Sequence, residues 1–261
     1  MFTHRNIDRN PHSSRISCAH SNYMGQVGNE VVRLIDGERP SARALEIHQG
    51  LRSFITDRHP CAGARAVIHA AGHRFGIYRG MGSRGATAGI ARDLWTFVHE
   101  RPSINSDFAT FIAIFDPAKN FTEHEFESAV WEQLNALRDI DRAPYSRAVS
   151  SDASNPQFGF SFAATAFFIV GLHPGSSRFA RRFAWPALVF NAHSQFDKLV
   201  EQGIYDRFRA VVRKRDLALQ GSLNPNLAEF GERSEAREYS GRAVEEDWIC
   251  PFRARRRRRD R

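Results

Sequence analysis

The stretch from Phe108 to Leu137 constrains this chain most. Phe108 to Phe115 is a continuous apolar run of strand length, stopped by Asp116-Pro117. Thr122 and Glu125 then stand at capping-box spacing, ahead of Phe126, Val130, Leu134 and Leu137 on one helix face. A strand followed at once by an amphipathic helix means that both kinds of element share one core. Other segments repeat the alternation. A helix is predicted over 41–56, with Leu45, Leu51 and Ile55 on one face, and another over 86–100, with Ile90, Leu94, Phe97 and Val98. Strands are predicted over 74–79, 158–162, 165–172 and 187–191. A long helix follows from about Ala192 to Asp216, whose buried face would carry Phe196, Leu199, Val200, Ile204, Phe208 and Val211.

The rhythm is not that of a doubly wound sheet, and neither GxGxxG nor GxxxxGK[ST] occurs, so no phosphate-cradling loop is expected. The fold class is α+β, a single domain with a mixed, mainly antiparallel sheet of about five strands flanked by helices. Residues 1–25, rich in His, Ser, Asn and Arg, are expected to be poorly ordered, residues 26–252 to form the domain, and 253–261 an arginine-rich tail.

Composition narrows the function classes. No apolar stretch approaches membrane-helix length and the N-terminus lacks a secretory core, so a cytoplasmic protein with no membrane partner is expected. Cys18, Cys61 and Cys250 offer neither a disulfide framework nor a CxxC zinc pair. The net charge of +8 comes from 37 basic residues, of which only Lys119, Lys198 and Lys214 are lysine, and it concentrates in the tail. Such a run reads as a solvated tail, and no nucleic-acid motif accompanies it. A basic protein binding nucleic acid or membrane through this tail is the alternative from another class.

Pro60 precedes the small-residue segment Cys61-Ala62-Gly63-Ala64-Arg65-Ala66, which predicts a helix opening at or near Cys61. A thiol at a helix N-terminus is favoured as thiolate. His173 and His193 each sit at the end of a predicted apolar strand, and His193 has Phe190 and Phe196 around it.

Ordered stretches along the chain go further. They are His59-Pro60-Cys61-Ala62-Gly63-Ala64-Arg65; Gly171-Leu172-His173-Pro174-Gly175-Ser176-Ser177-Arg178 with Arg181-Arg182; and Pro186 through Phe196. The last runs from Arg213-Lys214-Arg215-Asp216 through Gln220-Gly221-Ser222 and Ser234-Glu235-Ala236 to Trp248-Ile249-Cys250-Pro251-Phe252. Across residues 45–252 these resemble the YqcI/YcgG family, with His59 standing where phenylalanine is expected before Pro-Cys. The resemblance implies a heme b cofactor and N-hydroxylation of a guanidino group, most simply L-arginine to N-hydroxy-L-arginine in specialised-metabolite (antibiotic) biosynthesis. A heme-handling protein without hydroxylase activity is the nearer alternative.

Side chains alone do not activate oxygen, whereas a heme does, and a thiolate ligand favours O–O cleavage. Cys61, His193 and His173 are therefore alternative axial ligands. Arg178, Arg181 and Arg182 are candidates for the heme propionates. Glu235 and Tyr239 could take a guanidinium, and Asn191 and Gln195 could orient substrate or oxygen. No flavin or nicotinamide motif is present, so a separate electron donor or peroxide is implied.

Overall fold

The structure is a computed structural model and describes residues 10–57, 59–226 and 232–253. Its elements run α1 (Arg15–His20), β1 (Met24–Val27), β2 (Glu30–Arg33), α2 (Ala42–Asp57), α3 (Ala62–His69), β3 (His73–Tyr78), α4 (Arg84–Glu100) and β4 (Thr110–Phe115). Then follow α5 (Glu123–Ile140), β5 (Phe160–Phe162), β6 (Thr165–Leu172), β7 (Ala187–Ala192), α6 (Ser194–Glu201), α7 (Tyr205–Gln220) and α8 (Ala236–Tyr239). The strands make one seven-stranded sheet in the order β2-β1-β3-β4-β7-β6-β5. Among the seven strands of the described residues only β3 and β4 pair in parallel, and α4 supplies the crossover such a pair requires.

Both faces of the sheet are covered, which explains why β4 is buried throughout and apolar from Phe111 to Phe115. Phe111, Ala113 and Phe115 join a cluster with Ile90, Leu94 and Phe97 of α4 and Phe126, Val130 and Leu134 of α5. Ile112 and Ile114 face the other way, into a cluster with Ile47, Leu51 and Ile55 of α2 and Ile68 of α3. The period of two along a strand thus divides one apolar run between two cores. The capping box at Thr122 and Glu125 is present, with the Glu125 carboxylate accepting the Thr122 N–H at 2.8 Å.

Several expectations need correction. The sheet has seven strands rather than about five, and it is mixed, with β3 and β4 parallel and the other neighbours antiparallel. The two additional strands are the β1–β2 hairpin, whose short strands of four residues each lack an apolar run. Residues 10–25 carry α1 and the start of β1 where an irregular segment was expected. The predicted helix from Ala192 to Asp216 is two, broken at Gly203, whose φ of +66° lies in the left-handed region. Val200 and Ile204 beside the break are 59% and 43% exposed, and Leu45 turns outward from α2. On α2 the buried face is instead Ala44, Ile47, His48, Leu51 and Ile55.

Phe252 closes the domain by packing its ring against Trp131, Phe158 and Phe160. Asn135 of α5 clamps its neighbours, donating to the Pro251 carbonyl at 3.2 Å and accepting the Arg253 N–H at 2.8 Å. Trp248 packs on Trp131, and Cys250 is half-buried beside them. The run from 254 to 261 lies outside the described residues. Among the described residues no helix is long and apolar enough to cross a membrane.

Candidate functional site

On the α2/α3 face of the sheet lies a cavity of about 290 Å³. Its floor is the sheet itself, through Thr110, Ile112, Val170, Val189 and Asn191. The side walls come from α3 and from α7, where the Phe208 ring stacks on Phe108 at 6.0 Å between centroids. Cys61 lines the cavity as well, and polar groups, Arg178, Arg181, Arg213, Asp216 and Glu238, also reach it. Apolar walls with a few converging polar groups are the usual makeup of a small-molecule site.

Cys61 is the N-cap of α3, as its position after Pro60 predicts. Its extended backbone lets Sγ accept the Ala64 N–H at 3.4 Å. Burial pushes the thiol up, against the opposing amides of Ala64 and Gly63, so the helix end alone does not make a thiolate here. A cationic ligand would be needed to do so. A Cβ at Gly63 would fill the space between the Cys61 sulfur and Phe208, at 3.7 and 3.4 Å.

His59, which stands where phenylalanine is expected, lines this cavity. Its Nδ1 accepts the Cys61 N–H at 3.3 Å, which leaves Nε2–H to donate to the Ala180 carbonyl at 3.0 Å. That pairing fixes a neutral tautomer, and burial pushes the imidazole down to about 4. His59 therefore joins the Cys61 turn to the 179–181 turn.

The other expected site residues divide into groups. Asn191 and Gln195 do line the cavity: Asn191 Oδ1 accepts from Thr110 Oγ1 at 3.1 Å, and Gln195 Oε1 accepts the Ala109 N–H at 3.3 Å. Arg178 lines it too, but its guanidinium is bonded to Asp216 and donates to the Ser222 hydroxyl and carbonyl at 3.1 and 2.8 Å. Arg181 reaches the wall, with Nη1 donating to the carbonyls of Gly171 and Tyr239 at 3.2 Å each. Arg182 instead braces the preceding turn through the carbonyls of Ser176 and Ser177 and covers the Phe179 ring.

The remaining candidates stand apart from this cavity. His173 is buried and stacks on Phe126 of α5 at 4.2 Å. His193, Glu235 and Tyr239 form a chain: the Tyr239 hydroxyl donates to Glu235 Oε1 at 2.6 Å, and His193 Nε2 lies 3.0 Å from the same oxygen. Burial alone would lower the His193 imidazole, but Glu235 outweighs it and leaves it raised. Tyr239 also accepts the Phe160 N–H at 3.0 Å, so this chain ties α8 to the sheet edge.

Sequence reasoning missed Asp216 and Glu238 as wall residues, although Asp216 ends the run Arg213-Lys214-Arg215-Asp216 and Glu238 lies three residues after Glu235. Phe108, Phe168 and Phe208 carried no signal beyond apolarity.

The cavity's chemistry fits a heme in kind. It offers a thiol at a helix start, a glycine beside it, aromatic walls and arginines in the lining. Its volume is at the small end of ligand pockets, which span about 300–1,000 Å³, so a macrocycle would require the walls to part. Among the described residues no three His, Cys, Asp or Glu side chains gather as a bare metal-ion site. An iron seated here would therefore draw on Cys61 and the macrocycle's own donors.

Compared with known protein families, residues 48–253 match the YqcI/YcgG family. The match covers most of the chain, and the chain belongs to that family. No curated protein and no solved structure matches it.

Proposed function

We propose that this member of the YqcI/YcgG family is a heme-dependent monooxygenase that N-hydroxylates a guanidino group, with L-arginine as the simplest substrate. The supporting observation is the cavity itself. Cys61, Arg178, Arg181, Asn191 and Gln195 are far apart in the chain and belong to three of the stretches that carry the resemblance, and all of them reach one apolar chamber. Bound heme would supply oxygen activation, and a Cys61 thiolate would add the electron density that favours O–O cleavage.

The chain's own residues would do the rest. Neutral His59 fixes the turn that holds Cys61 and places no cation beside the thiol. The walls of Phe108, Phe168, Phe196 and Phe208 exclude water. Asn191 and Gln195 hold polar atoms at the floor that can orient a guanidine nitrogen or an oxygen. Arg181 is the best-placed cation for a propionate, because Arg178 is already bonded to Asp216. The net change inserts one oxygen atom into an N–H bond. From dioxygen, the second oxygen leaves as water with two electrons and two protons from a separate donor; peroxide would bring oxygen and electrons together.

The test is expression with heme supply, a spectrum, and mass-spectrometric detection of a one-oxygen gain on L-arginine, with homoarginine and lysine alongside. Wild type should show a thiolate-type ferrous-CO band and hydroxylate a guanidine, and Cys61→Ala should lose that band while remaining folded. A CO complex of histidine type would move the ligand to His193 or His173. A heme-loaded protein that oxidises none of the substrates, with peroxide or a reductase supplied, would leave a heme-handling role.

A further inference from the structure

We propose that Glu238 is the receptor for the cationic head of the substrate in this cavity, a role the sequence had suggested for Glu235. The two acids lie close together at α8, but they have different commitments. Glu235 is bonded to Tyr239 and His193 and is not among the residues that wall the cavity. Glu238 walls it, and its carboxylate makes no hydrogen bond or ion pair with any described residue. The other acid on the wall, Asp216, is bonded to Arg178.

An unpaired carboxylate in an apolar chamber is costly unless a ligand supplies the missing charge and donors. None of the arginines around it hydrogen-bonds to Glu238: Arg178 is bonded to Asp216 and Ser222, Arg181 donates to two carbonyls through Nη1 alone, and neither Arg209 nor Arg213 is free. Burial pushes the Glu238 carboxyl up to about 7. Arg181 opposes this, Glu235 adds to it, and Arg209 and Arg213 of α7 oppose it. A ligand cation would reverse the shift. A guanidinium answers the site best, with charge and a planar fork of donors matched to a carboxylate on an apolar linker matched to the walls. The choice of guanidinium rests on the function proposed above; the identification of Glu238 rests on the cavity.

The experiment measures binding to the full chain by calorimetry at pH 8, with heme content recorded separately by its spectrum. The probes are L-arginine, agmatine, L-lysine, putrescine and L-citrulline, whose neutral urea replaces the guanidinium. Arginine and agmatine should bind and citrulline should bind far more weakly. Glu238→Gln should weaken arginine on the order of thirtyfold and leave citrulline unchanged, while Glu238→Asp, which keeps the charge, should recover part of the loss. Glu235→Gln should leave arginine affinity nearly unaltered. Arginine binding equally well to folded Glu238→Gln overturns the assignment, whatever the heme content. If wild type binds lysine or putrescine but no guanidine, and Glu238→Gln abolishes that binding, Glu238 stands and the guanidine reading falls. Wild type that binds none of these cations overturns Glu238 as receptor.

Discussion

At the scale of single residues, the chain spends its polar groups in buried pairs, and these separate structural roles from binding roles. Arg178 looks from the sequence like a ligand for an anion, because it ends a Gly-Ser-Ser turn. In the fold it is buried, bonded to Asp216, and linked to Ser222 beyond the end of α7. Removing one member of a buried pair leaves the other uncompensated. Arg178→Ala should therefore lose about 3–5 kcal/mol of stability, and adding Asp216→Ala should return part of it. Urea titration of the single and double variants measures this coupling, and single variants as stable as wild type would deny it. Motif setting brought Arg178 into view, but its partner lies 38 residues away in sequence, a separation that no local pattern encodes. The same holds for His59, whose bonds to Cys61 and Ala180 outrank its identity as a departure from phenylalanine.

At the scale of elements, β5 and β6 show how far local pattern reaches. The sequence places β6 at Thr165–Leu172, where the structure has it, because its apolar run is long and bounded. The turn before it carries no turn signature, since it is Ala163-Ala164, with φ of +49° and +58° at the two residues. Phe162 pairs directly with Thr165, which makes this a two-residue hairpin of the kind that prefers Asn-Gly. The Asp141 carboxylate holds it by accepting the Ala163 N–H at 3.0 Å. Left-handed geometry costs an L-residue about 1–2 kcal/mol, so Ala163→Asn with Ala164→Gly should raise the thermal midpoint by several degrees, on the order expected for about 1 kcal/mol. A lowered midpoint would mean that the flanking strands, rather than the turn, set this geometry. The α6–α7 break was missed for the opposite reason. Gly203 is a weak signal inside a helical pattern, and only the exposure of Val200 and Ile204 reveals that the apolar face does not continue.

At the scale of the whole molecule, buried histidines make stability depend on pH. His48 of α2 and His73 of β3 meet with Nε2 atoms 2.8 Å apart, both stacked on Phe75. Burial pushes His48 down to about 4, and burial together with His48 pushes His73 down to about 3. His59 is likewise held near 4. These groups bind protons in the unfolded chain at ordinary imidazole values and in the folded chain only at lower pH. Their contribution is thus complete above about pH 6.5 and is lost as pH falls toward 4. Chemical denaturation between pH 7.5 and 4.5 should show stability falling on the acid side. Replacing both His48 and His73 by leucine should flatten that slope even if it lowers the plateau. An unchanged slope would place the acid sensitivity in the carboxylates instead.

The walls of the cavity have one more consequence. They are drawn from α3, β4, β6, β7, α7 and the turn at 179–181, so the chamber comes into being only when the central strands have found their partners. Contacts of such sequence separation form slowly, after loop closure has been overcome. No segment of the chain owns the site, and a fragment ending before β7 would have no chamber to fill. Ligand occupancy is therefore linked to the global unfolding equilibrium: saturating ligand at 100 times its dissociation constant should add about 2.7 kcal/mol to the whole domain, spread across every strand that must part for the ligand to leave by unfolding.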